Sequence, residues 1–201
     1  MSGAKIQLSA EELLLVQNAE VLLTKNRIIG KVYDLFGVLA DHYRAGAAEA
    51  GVFDEAVLRN SPKISRGENY KGLPWVMLDY PRYFSRTDIC GIRTMFWWGN
   101  GFSITLHLKG YYQQFYAGLL ASRLDQWKEH FLISVGTEEW QHDAAGENLI
   151  PLSDLSREMV QEKFIKEPFI KIYCRMSLSE WNKAEQQLRA MFDTILSILK
   201  D

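Results

Sequence analysis

Cysteine is nearly absent from this sequence. Cys90 and Cys174 are the two in 201 residues, and neither belongs to a C-x-x-C pair. A disulfide framework is therefore excluded, and a reducing compartment, the cytoplasm, is the expected location. Proline is also scarce, with five residues, and no Pro/Ser-rich linker, repeat or low-complexity run divides the chain. Residues 1–201 thus read as one compact domain, long enough to bury a core. No long apolar run occurs. "LLLVQNAEVLL" is interrupted by Gln17, Asn18 and Glu20, which excludes a membrane span. Residues 1–12 lack the apolar stretch of a secretory leader. There is no excess of positive charge either: 23 Lys and Arg against 25 Asp and Glu leave a net charge of -2. That balance argues against nucleic acid as a partner.

Signature motifs of chemistry are missing as well. Walker A, G-x-S-x-G and H-E-x-x-H are all absent. Gly99-x-Gly101 lies between two strand-like runs and reads as a turn. "IRTMFWWG" does not match the aromatic motif of an RNA-recognition sheet. Glu139-x-x-His142 has metal-ligand spacing, but it has no second copy and sits in a short polar stretch between Gly136 and Gly146. No cofactor is expected.

What is present is a clear order of elements. Ser9-Ala-Glu-Glu12 is a capping box ahead of Leu13, which starts a helix expected to reach Leu23. A second helix is expected over Asn26 to Arg44, with Ile29, Val32, Phe36, Leu39 and Tyr43 at helical spacing. Ser61 to Pro74 reads as a long loop. "LPWVMLDY" reads as a strand ended by Pro81. "ICGIRTMFWW" and "FSITLHLK" read as a hairpin, "YYQQFYAGLLASRL" as a helix, and "HFLISVG" as a short strand. Thr137 to Asp154 is polar and irregular. "LSREMVQEKFI" reads as a short helix and "FIKIYCRM" as a strand. A last helix runs from a serine cap at Ser177 or Ser179 to Leu199. Helices gather at the two chain ends with the strands between them. This predicts an α+β fold with a mostly antiparallel sheet, its helices packed mainly on one face.

The hairpin carries the strongest functional signal. A three-residue loop Gly99-Asn100-Gly101, pairing Trp98 with Phe102, gives the cleaner separation of faces. It places Trp98 in the core with Phe96 and Phe102, and sets Arg93 across from His107. The other face then holds Arg93, Trp97, His107 and Lys109, joined by Lys171, Tyr173 and Arg175 if "FIKIYCRM" belongs to the same sheet. Lys63, Arg66, Tyr70, Lys71 and Arg82 would reach its edge. Charge along the chain agrees: residues 59–110 carry eight Lys or Arg and three Asp or Glu, between two acidic flanks.

A basic and aromatic sheet face suits an anionic small molecule or a protein partner. Its bland counterpart is a half-solvated face with Trp97 covered by the chain itself. The candidate ligand-binding set is Lys63, Arg66, Tyr70, Lys71, Arg82, Arg93, Trp97, His107 and Lys109. One alternative is an acid/base hydrolase or transferase, with His107 as base, Arg93 beside an anionic substrate and Asp79 as orienting carboxylate. Another is a homodimer formed through the Trp97 face.

The run Tyr70-Lys71-Gly72-Leu73-Pro74 enters a strand, after N-terminal helices and a basic loop. An aromatic hairpin follows, and later a strand with a C-terminal helix. This layout resembles that of the YktB-like bacterial proteins, a family without a characterised activity. The resemblance implies a similar α+β fold and no particular chemistry.

Overall fold

A computed structural model describes residues 6–142 and 148–200. The capping box forms as written: Ser9 Oγ accepts from the Glu12 amide at 3.2 Å, and Glu12 Oε2 accepts from the Ser9 amide at 2.7 Å. The helix it starts, α1 (Ala10–Gln17), is shorter than expected, because Asn18 leaves helical geometry and caps the next one. That helix, α2 (Ala19–Ala50), continues past Arg44 until Gly51 takes a left-handed conformation at φ 67. Its buried residues Ile29, Val32, Phe36, Leu39, Tyr43 and Ala47 form one stripe. A short α3 (Glu55–Leu58) follows, capped by Asp54.

The expected loop over Ser61 to Pro74 is instead the edge strand β1 (Lys63–Tyr70) and a tight turn. Lys71 and Gly72 make the turn with positive φ, and the Asn69 side chain accepts from the Gly72 amide. Charged residues suit an exposed edge strand, so β1 carries no apolar alternation to announce it. Its partner β2 (Leu73–Phe84) does not stop at Pro81: the ladder shifts register between Asp79 and Arg82 and continues. Then come β3 (Ile89–Trp97), β4 (Gly101–Lys109), α4 (Tyr111–Ser122), α5 (Leu124–Trp127) and two three-residue strands, β5 (Leu132–Ser134) and β6 (Leu149–Pro151). The chain ends with α6 (Arg157–Lys166), β7 (Ile170–Met176), a 3-10 turn capped by Ser177, and α7 (Ala184–Leu199). In α4, Tyr112, Tyr116 and Leu120 turn inward, whereas Phe115 stays exposed.

Among the described residues the strands form one antiparallel sheet in the order β1-β2-β3-β4-β7-β5-β6. The fold is α+β. One face of the sheet, through Val76, Leu78, Phe96, Phe102, Ile104 and Leu106, packs against α2, α4 and α7 to make the main core.

The hairpin register differs from expectation. Phe96 pairs with Phe102 and Trp97 with Gly101, so the loop is Trp98-Gly99-Asn100. Trp98 is outside the β3–β4 ladder, yet its amide still donates to Pro74 O at 3.0 Å on the β2 side. Arg93 consequently faces Thr105, and His107 faces Gly91. The partner of each residue moves by two positions, and an even shift leaves the side chains on their predicted faces. The tryptophans nevertheless exchange standing. Trp98 lies at the tip and is only partly buried, whereas Trp97 is 9% exposed.

Candidate functional site

Alternation along the paired strands assigns the second face. It carries Lys63 from β1, Trp75, Met77 and Asp79 from β2, Arg93, Met95 and Trp97 from β3, Ser103 and His107 from β4, and Lys171, Tyr173 and Arg175 from β7. Arg66 pairs with Val76 and therefore lies on the helical face, with its guanidinium over the Tyr33 ring of α2 at 5.8 Å. That removes it from the expected set. Arg82 follows the register shift and points along the edge, where Nε donates to Ser61 O at 2.9 Å. Lys63 and Lys71 are exposed, the first on the edge strand and the second in the turn. The structure thus brings Tyr70, Arg93, Trp97, His107 and Lys109 together and leaves Lys63, Arg66, Lys71 and Arg82 outside the cluster.

An irregular strap, residues 137–142, crosses this face. The side chains that hold it include Tyr70, Arg93, Lys109, Lys171 and Tyr173, all placed on the basic and aromatic face or its edge from the sequence. Lys109 Nζ pairs with Glu139 Oε2 at 2.8 Å. Lys171, 1% exposed, donates to Glu139 O at 3.0 Å and to Gln141 O. Tyr173 OH donates to Gln141 O at 3.0 Å, and the His142 amide donates to Tyr70 OH at 2.8 Å. Arg93 pairs with Asp79, Nε to Oδ1 at 2.6 Å, and lies over the rings of Phe84 and Trp140 at 5.2 and 5.6 Å. Asp79 therefore serves Arg93 and does not orient His107.

His107 has no exposed surface. Its ring sits between Trp140 and Phe169, at 5.5 and 5.9 Å, and Nε2 lies 3.4 Å from Glu139 Oε1 outside hydrogen-bond geometry. Burial first, then the positive charges of Lys171 and Arg93, push its pKa down to about 2. The imidazole is neutral, as a base must be, but the strap closes it off from any substrate.

Trp97 is covered by the chain itself. It packs with Met77 and Met95 under Tyr70, Leu73 and Trp75. The Tyr70 ring meets it edge-on at 5.3 Å, and the indole N–H donates to Tyr70 O at 3.2 Å. One rim remains open. There, beside the end of the strap, a cavity of about 340 Å³ is lined by Met95, Trp97, Ser103, His142, Arg175 and Ser177 among others. Arg175 is exposed at its mouth. The volume falls within the range of small-molecule sites.

The strap is what the sequence did not disclose. Its one signal was Trp140, a large aromatic inside an otherwise polar run. Residues 143–147 of that run lie outside the described residues. Glu139 and His142 belong to the strap, and no group of three or more His, Cys, Asp or Glu side chains among the described residues is placed to hold a metal ion. No helix among them is long and apolar enough to cross a membrane. Comparison with protein-family models, with curated proteins and with solved structures returns no match.

Proposed function

We propose that this is a non-catalytic binding protein for a small anionic molecule with an apolar or aromatic body, held in the cleft between Trp97 and Arg175. The observation that carries this reading is where the basic and aromatic face stays open. At the cleft, an arginine able to take a planar anion in bidentate fashion stands beside an apolar floor of Met95 and Trp97. Ser103 and Ser177 add hydroxyl groups around the same space. A ligand there would place its charge at the mouth and its ring against Trp97.

The test uses phenyl phosphate and benzoate as ligands and phenol as the neutral control, followed by calorimetry and tryptophan fluorescence. Saturable binding of an anion but not of phenol is expected. Arg175→Ala should weaken it at least tenfold, about 1.4 kcal/mol, while the variant stays folded by circular dichroism. If neither anion binds, or if Arg175→Ala binds equally well, the reading fails.

A further inference from the structure

The first turns of the chain present a surface that its own body does not cover. No residue of α1 is buried, and α2 buries nothing before Ile29. Ile6, Leu8, Leu13, Leu14, Leu15, Val16, Val21, Leu22 and Leu23 are all exposed, with Leu14 at 70% and Leu22 at 62%. Leu13 to Val16 occupy four successive helical positions and so point almost all round the helix at steps of about 100°. No single flat surface can cover them; they need neighbours on more than one side. A second uncovered surface lies close by. Ile28, Phe96, Trp98, Leu178 and Trp181 line an apolar groove of about 390 Å³ at the tip of the β3–β4 hairpin. Val21, Ile28 and Lys31 follow at helical steps on α2, so the groove continues into the exposed arm.

We infer that residues 6–23 form a dimerisation arm whose partner is the same arm and groove of a second copy of this chain. Three observations favour that occupant. The nine exposed side chains amount to several hundred Å² per copy, the order of the roughly 800 Å² each partner of a stable pair buries. A twofold pairing gives each arm two apolar neighbours, the partner's arm and the partner's groove, as an all-round apolar helix requires. Charge disfavours a membrane surface instead: residues 6–24 contain Glu11, Glu12 and Glu20 and no Lys or Arg, the reverse of an interfacial lipid-binding helix. Trp97 is covered within its own chain, so this interface is separate from the face first considered for a dimer.

Sedimentation velocity on the full chain, from micromolar to near-millimolar concentration, should give twice the 23.2 kDa chain mass. Leu14→Glu with Leu22→Glu should give a folded monomer whose melting temperature, unlike that of the wild type, does not rise with protein concentration, because neither residue belongs to the core. A wild-type monomer across the range, or a double variant as dimeric as wild type, overturns the proposal. So does uptake of a monomeric wild-type chain, but not the variant, by phosphatidylcholine–phosphatidylglycerol vesicles.

Discussion

Lys171 Nζ, on β7, donates to the backbone carbonyl of Glu139 across 3.0 Å, although only 1% of Lys171 is exposed. A buried ammonium needs several oxygens around it, and the strap brings the carbonyls of Glu139 and Gln141 to it. Tyr173, two residues along the same strand and face, donates to the second of these. The sheet thus fixes the backbone of a segment that has no regular structure of its own, and that segment closes His107 from solvent.

Lys171→Met tests this arrangement, since it keeps the side-chain length and removes every donor. Desolvating the ammonium offsets part of what its hydrogen bonds contribute, so global stability should move by only about 1–3 kcal/mol. The local effect should be larger. Hydrogen exchange of residues 137–142 should rise at least tenfold while β3 and β4 keep their protection. Unchanged exchange in the strap would mean that Lys171 does not hold it.

His107 gives the acid limb of stability a defined origin. In the unfolded chain its pKa is about 6.5; in the fold, burial and neighbouring cations bring it down to about 2. Between those values the unfolded state binds a proton that the native state refuses. Stability is therefore lost as pH falls below about 6.5, at up to about 1.4 kcal/mol per pH unit from this residue. His107→Gln should flatten the curve. Urea unfolding near pH 6 and near pH 4 measures the slope, and equal slopes for both proteins would rule His107 out as the source.

Much of this architecture was legible from periodicity. The stripe from Ile29 to Tyr43 set α2, and alternation set both faces of the hairpin even though the loop was displaced. The displacement was invisible because a two-position shift leaves the same side chains on each face, so alternation cannot separate the two registers. β1 was illegible for another reason: an edge strand is held by its partner's backbone, so Arg66 could be placed on a face only once its pairing with Val76 was known. The strap was hidden for the same kind of reason. Apart from Trp140 its residues are polar, and what holds them lies on strands β3, β4 and β7 and at Tyr70.

The hairpin loop should tolerate change very unevenly. Gly101 has φ 146, and a Cβ there would lie 2.5 Å from Met176 O. Gly99 has φ 73, with nothing within 4 Å of a Cβ. Gly99→Ala meets only the left-handed backbone preference, about 1 kcal/mol. Gly101→Ala also drives β4 and β7 apart beside the cleft, and should cost more, of the order of 2–4 kcal/mol. Thermal unfolding of the two variants orders them. A Gly101→Ala protein as stable as Gly99→Ala would show that the close approach to Met176 is not maintained.

The cysteines separate local from global opening. Both thiols are buried, and burial raises the pKa of each, so little thiolate forms near neutral pH. For Cys90 the negative charge of Asp54 adds to the effect, whereas the Arg175 backbone partly offsets it at Cys174. Cys90 is also the deeper of the two, with no exposed surface against 8% for Cys174. Iodoacetamide should leave the native protein unmodified on mixing and modify both residues in urea. Under native conditions over longer times, Cys174 should react first, through local opening near β7, and Cys90 only at the rate of global unfolding. Mass spectrometry of timed samples distinguishes these orders. Rapid native labelling of Cys90 would contradict the packing of β3 against the helical layer.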